Sequence, residues 1–145
     1  MKIQNCLATR VQINYVDAAL LLIRLIVGIA FMIHGWGMIQ HPFDWMPAGA
    51  PVPAFFQLLA AISEFFGGAA LALGLLARLG SLGIAITMLV AVATHAFALK
   101  DPFVNTGGGS SYELAAVYFS IALFFVLNGP GQFSLDRKFF GVRST

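Results

Sequence analysis

Charged side chains are scarce in this chain. They make up 10% of its 145 residues, against roughly a quarter in an ordinary globular domain. A soluble fold of this size covers its surface with polar groups, and this sequence has too few to do so. Cysteine is almost absent. Cys6 stands alone, which excludes an internal disulfide and any CxxC relay. The residues before it, Ile3-Gln4-Asn5, do not resemble a lipoprotein cleavage site. There is no phosphate loop, GxSxG elbow, haem motif or metalloprotease motif. Basic and aromatic residues outside the apolar runs are too few for a nucleic-acid partner. The polar portions are too short to form an enzyme domain, so any catalysis belongs to the apolar bundle or to a partner subunit.

Apolar sequence is abundant instead. Hydrophobic residues reach 59%, and the mean hydropathy is +0.87. A helix needs about 20 apolar residues to cross a ~30 Å hydrocarbon layer. Four segments meet or approach that length, at about 17–39, 53–76, 79–99 and 112–127. Breakers separate them: His41-Pro42, then Pro51 and Pro53, then Asp101-Pro102, then Asn128-Gly129-Pro130-Gly131. A soluble helical bundle would need helices with a wide charged face. Segments 79–99 and 114–127 carry no charged residue. The first apolar run begins near Val16 and is too long for a signal-peptide core, so it reads as a retained anchor. These features predict an all-α integral membrane four-helix bundle, a single domain over 1–145 in the lipid bilayer, with 128–145 as a cytoplasmic tail.

Lysine and arginine set the expected orientation. Lys2, Arg10, Arg78, Arg137, Lys138 and Arg143 fall on one side of such a bundle, and Lys100 alone on the other. Both termini are therefore expected in the cytoplasm. The short turn at Arg78 makes segments two and three an antiparallel hairpin. Stretch 132–141 can lie along the inner surface as a short amphipathic segment. Ser110 and Ser111 offer an N-cap for the fourth helix. Gly28 and Gly35, Gly67, Gly68 and Gly74, and Gly80 and Gly83 read as packing surfaces, because lipid supplies no hydrophobic drive for helix association.

Ionisable groups within apolar segments cost roughly 2.5–3.5 kcal/mol each on insertion scales, so each demands a reason. Arg24, Gly28, Phe31, Gly35 and Met38 share one stripe of the first helix. Gln57, Ala60, Glu64, Gly68 and Leu71 share one stripe of the second. If the stripes face each other, Arg24 and Glu64 form a buried polar seam. The alternative is that Arg24 snorkels to the inner interface while Glu64 is neutral or hydrogen-bonded within the fold. A functional reading builds a proton relay, a substrate site or a quinone-headgroup site on Glu64, since a carboxyl in a low-dielectric site can exchange a proton. His34, His95 and Glu113 fall at similar depth beneath the outer loops and make a candidate outer-side pocket. Two histidines with a carboxylate can bind a metal, but no HxxxH or HxxE spacing supports it, and no metal is assigned. Interfacial hydrogen bonding accounts for the histidines better than a metal does, a quinone or small-molecule pocket is the other reading, and the helix dipole accounts for Glu113. His41 reads as solvated.

Three stretches carry a family resemblance. The first is Arg24-Leu25-Ile26-Val27-Gly28-Ile29-Ala30-Phe31-Met32-Ile33-His34-Gly35. The second is Glu64-Phe65-Phe66-Gly67-Gly68 with Leu73-Gly74-Leu75-Leu76-Ala77-Arg78. The third is Tyr112-Glu113-Leu114 leading to Gly129-Pro130-Gly131-Gln132-Phe133-Ser134-Leu135-Asp136. In that order they resemble the DoxX family of small four-helix membrane proteins, from about residue 20 to 139. Many members have lysine soon after the His-Gly pair, where this chain has Met38, Ile39 and Gln40. Ala77 replaces the usual threonine before the arginine. The resemblance implies a multi-pass protein of the bacterial cytoplasmic membrane. The family takes its name from a thiosulfate:quinone oxidoreductase subunit of the DoxD type. It therefore implies a quinone-linked subunit of a membrane redox complex, with a protein partner or a second copy of itself. The alternative class is a non-enzymatic small transporter or a membrane scaffold for a partner.

Overall fold

Residues 14–49 and 52–141 are described by a computed structural model. Lys2, Cys6, Arg10, Pro51 and Arg143 lie outside the described residues, and so do the expectations placed on them. The chain forms α1 (Asn14–Gln40), α2 (Ala54–Leu73), α3 (Ala77–Ala93), α4 (Glu113–Asn128) and a short α5 (Leu135–Phe140). A π-helical stretch, Thr94–Leu99, continues α3. No strand occurs among the described residues.

The breakers end the helices close to where the sequence places them, with informative differences. The second helix stops three residues early. Gly74 takes the left-handed conformation (φ +65°) and donates its N–H to Leu71 O at 3.1 Å, the closure that glycine permits after a helix. Only Gly74, Leu75 and Leu76 separate α2 from α3, which gives the tight hairpin expected there. The third helix begins two residues earlier than expected, and its last turns are π-helical, not α-helical. Neither Ser110 nor Ser111 caps α4. Tyr112 holds the cap position, with no side-chain hydrogen bond.

Successive helices run antiparallel. Gly28 of α1 lies beside Ala72 of α2, and Gly67 of α2 beside Gly80 of α3. The start and end of the described chain therefore share one end of the bundle, the termini end. The loops 41–53 and 100–112 share the other, the loop end. A Cβ on Gly28 would stand 2.7 Å from both Ala72 N and Gly68 O, and one on Gly35 would stand 2.5 Å from Phe65 N. The α1 and α2 backbones thus touch, which supplies the close packing that lipid does not. The facing stripes predicted on these helices do meet.

The polarity of the bundle is inverted relative to a soluble protein. Its surface carries large apolar side chains such as Ile33, Phe56, Leu79 and Leu127, each more than half exposed. Its interior holds Asp17, Arg24, Gln57, Glu64, Ser81 and Asp136 beside an apolar cluster that includes Phe31, Leu71, Ile84 and Phe125. Exposed apolar area on this scale belongs in lipid. Among the described residues, three helices are long and apolar enough to cross a membrane, over Tyr15–Gln40, Ala54–Leu73 and Ala77–Leu99. α4 is apolar but has 16 residues, a rise of about 24 Å.

Candidate functional site

The termini end is a dense polar network centred on Arg24, which is 1% exposed. Its Nε donates to Leu71 O at 2.9 Å and its Nη2 to Ala72 O at 3.1 Å. Its Nη1 donates to Pro130 O at 2.7 Å and Phe133 O at 2.9 Å. The first two acceptors are among the orphan carbonyls at the C-terminus of α2, where a cation also meets the negative end of the helix dipole. The other two belong to the segment after α4. One guanidinium thus ties α1, α2 and the C-terminal segment together, as its planar fork allows.

Two carboxylates complete the network. Asp136 accepts from Leu76 N (2.6 Å) and Ala77 N (3.0 Å), and so caps α3 from far away in sequence. Its own N–H donates to Gly74 O at 2.7 Å. Burial pushes the Asp136 carboxyl above the ordinary aspartate range, against the pull of those two N–H groups and of Arg24 and Arg78. Asp17 accepts from Gln132 N at 2.7 Å. Arg78 donates to the carbonyls of Val126 and Leu127. Ser134 caps α5 by accepting from Arg137 N, and Arg137 also donates to the Gln132 side chain. The expected short amphipathic segment at 132–141 contains this helix, with Phe133 and Phe139 exposed.

Glu64 is different in kind. It lies midway along α2 and is 8% exposed, about 15 Å from either end of that helix at 1.5 Å per residue. The expected pairing with Arg24 does not occur. The guanidinium is committed to carbonyls near Leu71, about two turns along α2 from Glu64. Nor does Arg24 reach the inner interface, as the alternative expects: its guanidinium is buried against carbonyls of the fold. Glu64 has no hydrogen-bond or ion-pair partner among the described residues. A carboxyl without a protein partner in the middle of an apolar bundle is a candidate for binding or proton exchange.

The loop end does not assemble the pocket expected of His34, His95 and Glu113. His34 is exposed on α1 and Glu113 is exposed on the first turn of α4. His95 lies in the π-helical stretch, where its Nδ1 is 2.7 Å from Asp101 Oδ2. Among the described residues no three His, Cys, Asp or Glu side chains stand close enough to hold a metal ion. The residue that organises this end is Gln57. Its carbonyl side-chain oxygen accepts from Met46 N, its amide donates to Val52 O, and its backbone O accepts from the Trp45 indole. That clamps the proline-rich loop over the bundle.

Residues 19–96 match the DoxX family. The chain belongs to the DoxX family. Relatives include an inner membrane protein, YqjF, of Escherichia coli, 30% identical over 83% of this chain and 92% of its own length. An uncharacterized membrane protein of Mycobacterium tuberculosis is 31% identical over 80% of this chain and 78% of its own. An uncharacterized protein of Haemophilus influenzae is 29% identical over 81% and 88%. No solved structure matches. This DoxX-family chain is a multi-pass membrane protein, as its apolar helices and these relatives agree.

Sequence reasoning did not single out Asp17, Asp136 or Gln57 as anchors. Asp136 was visible only as the end of a motif, and nothing local shows that it caps a helix 59 residues away. Asp17 read as the edge of an apolar run. The one available signal was a carboxylate beside an apolar segment with no nearby basic residue to explain it.

Proposed function

We propose that this DoxX-family protein is a quinone-linked membrane subunit that binds the quinone ring at Glu64, in one domain crossing the bacterial cytoplasmic membrane four times with both termini inside. What supports the site is Glu64 itself, a buried carboxyl in mid-bundle that no described residue partners. The motif residues around it have structural employment. Arg24 and Asp136 hold the termini end. Gly28, Gly67 and Gly68 let backbones touch. Glu64 is left with a chemistry-bearing group and no structural duty. A carboxyl there can hydrogen-bond a ligand oxygen and hold or pass a proton at its own oxygen. A quinone, when bound, supplies an acceptor for two electrons and two protons. On this reading the electrons come from a partner redox subunit.

The test is equilibrium binding of decylubiquinone to the purified full chain in phosphatidylcholine nanodiscs. Wild type binds above the lipid background, and Glu64→Gln, folded to the same melting temperature, weakens binding at least about tenfold, the loss of one charged or strong hydrogen bond. Absence of binding, or binding unchanged in Glu64→Gln, defeats the reading and favours a non-enzymatic scaffold or transporter.

A further inference from the structure

The termini end of the bundle treats its two signs of charge differently. The chain has six acidic residues. Asp44, Asp101 and Glu113 belong to the loop end, and Glu64 to the middle of α2. Asp17 and Asp136 belong to the termini end, and each is 1% exposed. Their carboxylates are turned inward onto backbone N–H groups. No exposed acid is left at this end among the described residues. The cations stay at the rim. Arg78 and Arg137 are half-buried and spend donors on the fold, at the carbonyls of Val126 and Leu127 and at the Gln132 side chain. Lys138 is exposed, with no hydrogen-bond or ion-pair partner among the described residues.

The helix that carries Lys138 is fixed in depth. Asp136 ties α5 to the turn between α2 and α3 through Leu76 N, Ala77 N and Gly74 O. Just before α5, the Phe133 carbonyl accepts from Arg24. α5 therefore lies level with the ends of α2 and α3, where hydrocarbon gives way to headgroups. Its inner side is Asp136. Its outer side shows Lys138 and Phe139, with Phe133 exposed beside it. Such a surface sets its phenyl rings into the acyl boundary and keeps its ammonium at phosphate depth, as the four-carbon lysine stem allows. A phosphatidylcholine headgroup brings a cation of its own. A phosphatidylglycerol headgroup brings only its phosphodiester, so charge complementarity selects the anionic lipid.

We propose that α5 is a docking surface for an anionic phospholipid of the phosphatidylglycerol class, with Lys138 holding the phosphodiester and Phe133 and Phe139 seated among the acyl chains. Arg137 adds to the positive field beside it. The inward turn of Asp17 and Asp136 removes the repulsion that exposed carboxylates would set against the headgroup. The bound lipid holds the C-terminal segment against the bundle. The site does not depend on what Glu64 binds.

The test uses the purified full chain in dodecyl maltoside. Native mass spectrometry follows binding of dioleoyl phosphatidylglycerol and dioleoyl phosphatidylcholine, which share their acyl chains. Melting curves check that each variant folds. Wild type prefers the anionic lipid by at least about fivefold, the effect of one cation near a lipid surface. Lys138→Gln loses that preference, and Lys138→Arg keeps it. Lys100→Gln, which removes the exposed lysine of the loop end, leaves it intact. Excess glycerol phosphate, which has the phosphate without the chains, does not displace the lipid. Equal binding of the two lipids by wild type, an unchanged preference in Lys138→Gln, or an equal loss in Lys100→Gln would overturn the site. Displacement by glycerol phosphate would make it a site for soluble phosphate and overturn the lipid assignment.

Discussion

Arg24 and Glu64 are both ionisable, both buried and both set in apolar helices, yet their surroundings differ completely. Arg24 donates to four carbonyls on two separate segments. Glu64 meets no partner among the described residues. The comparison separates two reasons for placing a costly group inside a membrane protein. One group is consumed by the fold. The other is carried by the fold without contributing to it.

The largest expected effect is on the first group. Arg24→Ala takes their side-chain donor from the Ala72, Pro130 and Phe133 carbonyls, and should lower unfolding stability by about 3–5 kcal/mol, since each buried group left unsatisfied costs about 1–3 kcal/mol. Arg24→Lys should recover only part of this, because a single ammonium cannot match a planar fork. Denaturant unfolding in a fixed detergent checks both, and a lysine variant as stable as wild type would break the fork argument. Next comes Gly28→Ala. Its new Cβ would stand 2.7 Å from backbone atoms of α2, so the helices must part, at about 1–3 kcal/mol. Asp136→Ala should cost about 1–2 kcal/mol as a lost cap. Faster amide exchange at Leu76 and Ala77, the two N–H groups it accepts from, would identify the cause. Smallest is Glu64→Gln, which should change stability by no more than about 0.5 kcal/mol, since no partner is lost.

The same comparison explains what the sequence disclosed. Helix existence was legible because apolar runs and breakers are local signals. The glycine faces were legible because helical spacing places Gly28 and Gly35 on one stripe. The partners of Arg24 were not, because its acceptors are backbone carbonyls, which every residue owns and no motif marks. Charge pairing favours Arg24 with Glu64, whereas the C-terminal carbonyls of α2 take the guanidinium instead. The supposed cluster of His34, His95 and Glu113 failed for a related reason. Similar depth fixes one coordinate only, and the rotation of each helix turns His34 and Glu113 outward. His95 follows the π-helical stretch to Asp101, a local irregularity that apolar periodicity does not show.

The most direct test of the division is one melting experiment on wild type and Glu64→Gln, each with and without saturating decylubiquinone in the same nanodiscs. Ligand that binds only the folded state raises its melting temperature by mass action. The account predicts equal melting of the two proteins alone, and a quinone-induced rise in wild type that Glu64→Gln lacks. A Glu64→Gln protein that melts well below wild type on its own, or that keeps the full rise, would contradict it.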